Sequence, residues 1–256
     1  AHPIMFNVFV WVPQHLLSHH QYTNDYHLDM DVHHFSPARL SQAQPSTERT
    51  TRPLLGNDGW HFVWKGCLTT LGTCVLQPLR TLTEKPTPNF DVNISPVPAA
   101  VTKRTLLLSM LPSFFVLLYP LLAFLRADPL RCAFLEVWPW VGMSLIWTSM
   151  TQTSHIQASC QPSEASCWTA NQIQTSLDYS RGEPLATALT GGLNAQSLHH
   201  AMPTICCCHF PQIYEEYSQV CAANGVQIRT SENLATATAE CLDYVFRVNA
   251  PSDAAS

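Results

Sequence analysis

Charge is what this sequence has least of. Asp, Glu, Lys and Arg make up 12% of its 256 residues, with 13 basic against 18 acidic side chains and a formal charge of −5. An ordinary soluble domain carries about twice that share. No basic excess is present to neutralise a run of phosphates, so a nucleic-acid binder is excluded. Glycine is scarce too, at 9, while Pro reaches 19 and His 12. Paired C-x-x-C spacings are missing, which argues against a thiolate zinc site. The 10 cysteines do not read as a disulfide scaffold: a chain of this length needs no such staple, and the Cys206-Cys207-Cys208 run fits bridges poorly. Reduced thiols facing a cytosol are expected instead, with Cys206 to Cys208 as small buried packing groups. Disorder is excluded by what is there, namely 46% hydrophobic residues including 7 Trp and 11 Phe.

The apolar residues are concentrated mid-chain, and that unevenness points to a membrane. Residues 105–125 run without a charge and give the strongest transmembrane signal. Pro112 and Pro120 are tolerable there, because neighbouring helices can satisfy the carbonyls they release. Residues 132–150 are apolar apart from Glu136, with Trp138, Trp140 and Trp147 placed for the aromatic belts. The fold class expected is an all-α integral membrane protein: a transmembrane helical hairpin with a cytosolic helical cap. Residues 4–12 read as the end of a span, 13–104 and 151–256 as cytosolic, and 105–125 and 132–150 as transmembrane. Within the first polar stretch, residues 60–82 suit an interfacial helix. Helical periodicity marks 169–180, 211–224 and 233–248, and 250–256 reads as a frayed tail.

A hairpin returns the chain to the side it left, so histidines before 105 and after 150 share one membrane face. Two clusters stand out there. His15, His19 and His20 form one: on an α-helix His15 and His19 share a face, with His20 about 100° round from His19. Gln196, His199 and His200 form the other, with Gln196 and His200 on one face. His155 stands between them, where the second span ends. Imidazole suits several transition metals, so ligand type alone names none; a Glu-rich carboxylate bundle is excluded. His2, His27, His33, His34, His61 and His209 are expected to be surface or hydrogen-bonded side chains, with 25–35 a solvated loop.

These motifs closely resemble the membrane fatty acid desaturases, particularly the front-end group. Gln14-His15, three residues, then His19-His20 with Tyr22-Thr23-Asn24 resembles the second histidine box, and Asp29-Met30-Asp31 the acidic pair that follows it. The stretch from Gly191 to His200 resembles the third box in its Gln-led form. His155 resembles the histidine after the fourth span, and Trp168, Gln172 and Thr175-Ser176 resemble the stretch before the third box. The family's first box, His-Asp-x-x-His, is not found upstream of His15, and the chain is expected to be the C-terminal part of a longer protein.

The resemblance implies a di-iron centre held by His15, His19, His20, His155, Gln196, His199 and His200. Asn24, Asp25, Asp178 and Asn194 are candidates to orient the rings. It further implies O2 as co-substrate, cytochrome b5 and its reductase as electron donor, a long polyunsaturated acyl chain as substrate, and an endoplasmic reticulum location with the site facing the cytosol. No catalytic residue beyond the metal centre is expected. Trp60, Trp64, Phe114, Phe115 and Tyr119 could line an acyl channel, though core packing or lipid contact suits each. The alternatives are a sphingolipid desaturase or lipid hydroxylase with the same site, and a non-catalytic desaturase-like membrane protein, either a truncated form that binds a partner or one whose histidines hold structural zinc.

Overall fold

A computed structural model describes residues 4–44, 54–83, 102–125, 127–162 and 167–250. His2 and most of the expected tail (251–256) lie outside the described residues. The chain divides into two compact units, Ala1–Gln21 with Val63–Thr148, and Tyr22–Phe62 with Ser149–Ser256.

The first unit opens with helix α1 (Val8–Val12). Asn7 caps it: its side-chain oxygen accepts from the Phe9 N–H, and its amide donates to Ser109 Oγ at 2.8 Å. Beyond it the helix widens into a π-helical run, Pro13–His19. Pro13 has no N–H to give and crowds the preceding turn, which favours a longer-range pattern. The expected interfacial helix is broken into α2 (Gly59–Gly66), a short turn Thr69–Leu71, a second π-helical stretch Gly72–Leu76, and α3 (Gln77–Leu82). Threonine hydroxyls cause part of the break, since Thr69 and Thr73 bond back to carbonyls of their own helical turns.

Helix α4 (Lys103–Phe124) is capped by Thr102, whose hydroxyl accepts from the Thr105 N–H. Its 22 residues are long and apolar enough to cross a bilayer, and among the described residues no other helix is. Helix α5 (Pro129–Thr151) has the length, at 23 residues. Arg131, Glu136 and a Ser/Thr-rich end lower its hydropathy. Cys132 Sγ donates to the Pro120 carbonyl, joining the two helices beside their turn. Their outward faces are apolar: Leu108, Leu111, Phe115 and Leu122 on α4, Phe134 and Trp138 on α5. Inward, polar groups stitch helices together. Thr70 Oγ1 meets Ser144 Oγ at 2.9 Å, and Thr69 Oγ1 meets Thr148 Oγ1 at 2.9 Å; such pairs join helices where lipid supplies no hydrophobic drive. Cys74, Val75, Met110 and Trp140 form the unit's core.

The second unit keeps the helical character expected and adds one short pair of strands. Residues 169–180 divide into α6 (Trp168–Gln174) and a strand, β1 (Leu177–Tyr179). After α7 (Pro184–Thr190), α8 (Gln196–Ala201) and α9 (Phe210–Ala223) comes β2 (Arg229–Ser231), parallel to β1 with Asp178 opposite Thr230. The chain cannot stay helical at 177 because the Leu177 N–H is drawn to the Ser154 carbonyl. Helix α10 (Leu234–Val248), capped by Asn233, closes the unit.

Two expectations are overturned. Residues 25–35 are not a solvated loop: Asp29 caps a 3-10 turn, Met30–His33, and buries Val32 and Phe35 against Phe62, Ile156, Tyr244 and Val245. His33 is buried with it, its Nε2 donating to the Tyr26 carbonyl at 2.7 Å. Of the three consecutive cysteines, Cys206 and Cys208 are exposed and Cys207 half-buried. All 10 cysteines are unbridged.

Candidate metal centre

The first unit carries His15, His19 and His20 on the π-helical run. An α-helix would pair His15 with His19; here the His20 N–H reaches the carbonyl of His15, five residues back. That lengthened turn sets the His15 and His20 rings edge to face at 4.4 Å, with their Nε2 atoms 3.0 Å apart. His19 is 5.4 Å from His15 between ring centroids. Sequence reasoning missed Trp11, whose indole stacks on the His15 ring at 4.1 Å and is itself stacked on Phe6. Three imidazoles of one turn therefore converge, backed by an aromatic column.

In the second unit, His155, Gln196 and His200 converge, all buried. The His155 and His200 rings are 4.6 Å apart, and His199 lies 5.6 Å from His200. Hydrogen bonds fix the tautomers. His155 Nδ1 lies 3.1 Å from the Thr175 carbonyl, which can only accept, so the proton is on Nδ1 and the lone pair on Nε2. His200 Nδ1 lies 2.9 Å from Gln172 Oε1, an oxygen that also accepts from Thr23 Oγ1 at 2.7 Å. His200 therefore has the same tautomer. A metal-binding imidazole needs a lone pair on one nitrogen and a bonded N–H on the other, and both rings meet that requirement.

Gln196 completes the second set. Its amide nitrogen donates to His155 Nε2 at 2.9 Å, while its Oε1 is buried with no hydrogen-bond partner. A buried amide oxygen without a partner costs about 1–3 kcal/mol, and a cation beside it would remove that cost. Imidazole nitrogens and an amide oxygen together suit a first-row transition metal such as iron, so the donors present fit a metal.

The four expected ring-orienting residues bond to backbone groups, and Asp178 and Asn194 to hydroxyls as well. Asn24, in a left-handed conformation (φ 63), donates to the carbonyls of His155, Cys160 and Thr175. Asp25 accepts from the N–H groups of His27 and Leu28. Asn194 bonds Thr190 and the Ser180 carbonyl. Asp178 is wholly buried and accepts from the Ser197 N–H (2.7 Å), Ser197 Oγ (2.6 Å) and the Tyr214 hydroxyl (2.6 Å). Burial pushes its carboxyl up to about 6 against those donors. Two partners of the His200 ring, Thr23 and Gln172, are 149 residues apart in sequence. Gln172 stood in the resemblance, but nothing in its local pattern marks it as a partner of His200.

A family model for fatty acid desaturases matches residues 1–232. The chain belongs to the fatty acid desaturase family. This desaturase-family chain is similar to the acyl-lipid (8-3)-desaturase of Mortierella alpina, at 28% identity over 92% of this chain and 53% of that enzyme. It is 36% identical to the acyl-lipid omega-13 desaturase of Chlamydomonas reinhardtii over 44% of this chain and 25% of that enzyme. The sn-1 linoleoyl-lipid 6-desaturase of Arthrospira platensis is 37% identical over 23% of this chain and 16% of its own length. The chain thus spans about half or less of the curated relatives it matches. No solved structure matches it.

Proposed function

We propose that the complete protein is a front-end acyl-lipid or acyl-CoA desaturase, and that the two histidine sets together hold two irons. The carrying observation is the second set: Gln196, His155 and His200 converge with both ring lone pairs on Nε2 and a buried amide oxygen in need of a partner. His15, His19, His20 and His199 supply the remaining imidazoles. Two irons held there would supply O2 activation: two electrons from cytochrome b5 and its reductase, two protons from solvent and two hydrogens from adjacent acyl carbons together convert O2 to two waters and leave a double bond.

The chain's own part is to position and exclude. Gln172 and Thr175 hold the two rings in one tautomer, and the Trp11 stack holds His15. Residues 105–125 and 132–150 cross the membrane in this reading, leaving 13–104 and 151–256 on the cytosolic face of the endoplasmic reticulum. The apolarity of α4 and its outward leucines support that arrangement. An apolar acyl tail gains about 0.8 kcal/mol per buried methylene, so it needs few polar contacts.

The test is product analysis in yeast expressing the complete reading frame and fed polyunsaturated fatty acids. A new double bond is expected, lost in both His199→Ala and His200→Ala and largely retained in His61→Ala. Turnover surviving in both box variants would overturn the ligand assignment; hydroxylated lipid alone would make the protein a hydroxylase. Stoichiometric zinc resistant to exchange by iron would make it non-catalytic.

A further inference from the structure

Cys206, Cys207 and Cys208 lie between α8 and α9, outside the histidine sets. Their alternation of exposure has a local cause. Cys206 is extended (φ −62, ψ 130), and Cys207–His209 form one 3-10 turn ahead of α9. Cys207 packs inward because Gly192, held at φ 88, makes room for it: a Cβ on Gly192 would overlap that of Cys207 and press on Phe210. With Cys207 turned in, the residues on either side turn outward together. The Cys208 thiol then donates to the Cys206 sulfur across 3.3 Å. That pairing splits their acidities. The Cys208 backbone N–H and thiol hold Cys206 below the ordinary thiol range, and Cys208 is raised by giving its proton to that sulfur. A thiolate-prone sulfur thus sits beside a second thiol at the surface.

We propose that Cys206 and Cys208 form a surface dithiolate site for a soft metal ion, with Cu(I) as the ion that the donor set favours. Thiolate sulfur selects soft ions. A closed zinc site takes four ligands in a tetrahedron, whereas the exposed sulfurs here are two, with Cys207 half-buried beside Gly192. Two sulfurs are sufficient for Cu(I). Binding replaces the two S–H bonds by two metal–sulfur bonds and releases two protons to solvent, with no electron transferred. The sulfurs must move apart to admit the ion, which two exposed side chains achieve by rotation about χ1 between staggered wells.

The experiment titrates the detergent-purified complete protein, reduced, with Cu(I) against a chromophoric Cu(I) chelator, and records the ultraviolet thiolate-to-copper band. One copper per chain is expected to resist the chelator and carry that band. Cys206→Ser and Cys208→Ser should each abolish both signals, while Cys167→Ser, at an exposed thiol elsewhere, should keep them. Absence of the band in the wild type overturns the proposal, as does its persistence in either of the first two variants. A second measurement does not depend on variants: phenylarsine oxide bridges only closely spaced thiols, and it should protect Cys206 and Cys208 together from maleimide. Failure to protect them in the folded wild type also overturns the proposal. None of these readouts requires the histidine sets to hold iron or turn over lipid.

Discussion

Gln172 offers one oxygen to two partners, the Thr23 hydroxyl and the His200 ring. If that oxygen fixes the His200 tautomer, an acceptor must remain at the position. Gln172→Leu in the complete protein should therefore lower iron affinity by about 10- to 100-fold, while Gln172→Glu, which still accepts, should stay near wild type. Iron content of the purified protein measures both; equal loss in the two variants would mean the side chain matters only for packing. This relationship was not legible in the sequence, because a hydrogen bond across 149 residues leaves no local pattern. His199, His200 and Gln196 were legible, because their spacing is itself the signal. The three cysteines misled for a related reason: which of them turns inward is decided by Gly192, not by cysteine's general preference for burial.

Among the elements, α8 is tied to its neighbours through Asp178. The carboxylate joins β1 to the first turn of α8 and to α9, and Tyr217 of α9 adds a hydrogen bond to Ser197 at 2.9 Å. Burial raises the Asp178 pKa from 3.8 to about 6, so the folded state binds this proton more tightly than the unfolded chain does. Stability from the neutral acid is complete below about 4 and is lost as pH rises towards about 6. Asp178→Asn mimics the neutral acid and should remove that dependence. The difference in melting temperature between wild type and variant should shift against the wild type across this interval, then level off; a flat difference would contradict it. Most helices were legible from periodicity and caps, α10 and α9 nearly to the residue. The π-helical run at the first histidine cluster was not. It keeps the composition of an α-helix while bringing His20 onto His15 beside the expected His19, and only the hydrogen-bond pattern reveals the change.

At the level of the whole molecule, the proposed membrane arrangement requires α4 and α5 to return the chain to one face. Leu17→Cys and the native Cys206 and Cys208, all at exposed positions, should react with a membrane-impermeant maleimide from the same side of sealed vesicles. Labelling from opposite sides would separate the two histidine sets. Helix α4 was legible from its unbroken apolarity. Helix α5 was less so, because a helix that buries Ser144 and Thr148 against Thr70 and Thr69 dilutes its own hydropathy with the hydroxyls that fasten it.

The turn of the Gln196 side chain also governs how an incoming ion is received at His155. Its amide N–H already occupies the ring's Nε2, so a cation could reach that nitrogen only once the amide lets go. The oxygen of the same side chain is the one left unsatisfied. Loading would therefore be an exchange, in which the group that guards the ring gives up a hydrogen bond and takes hold of the newcomer.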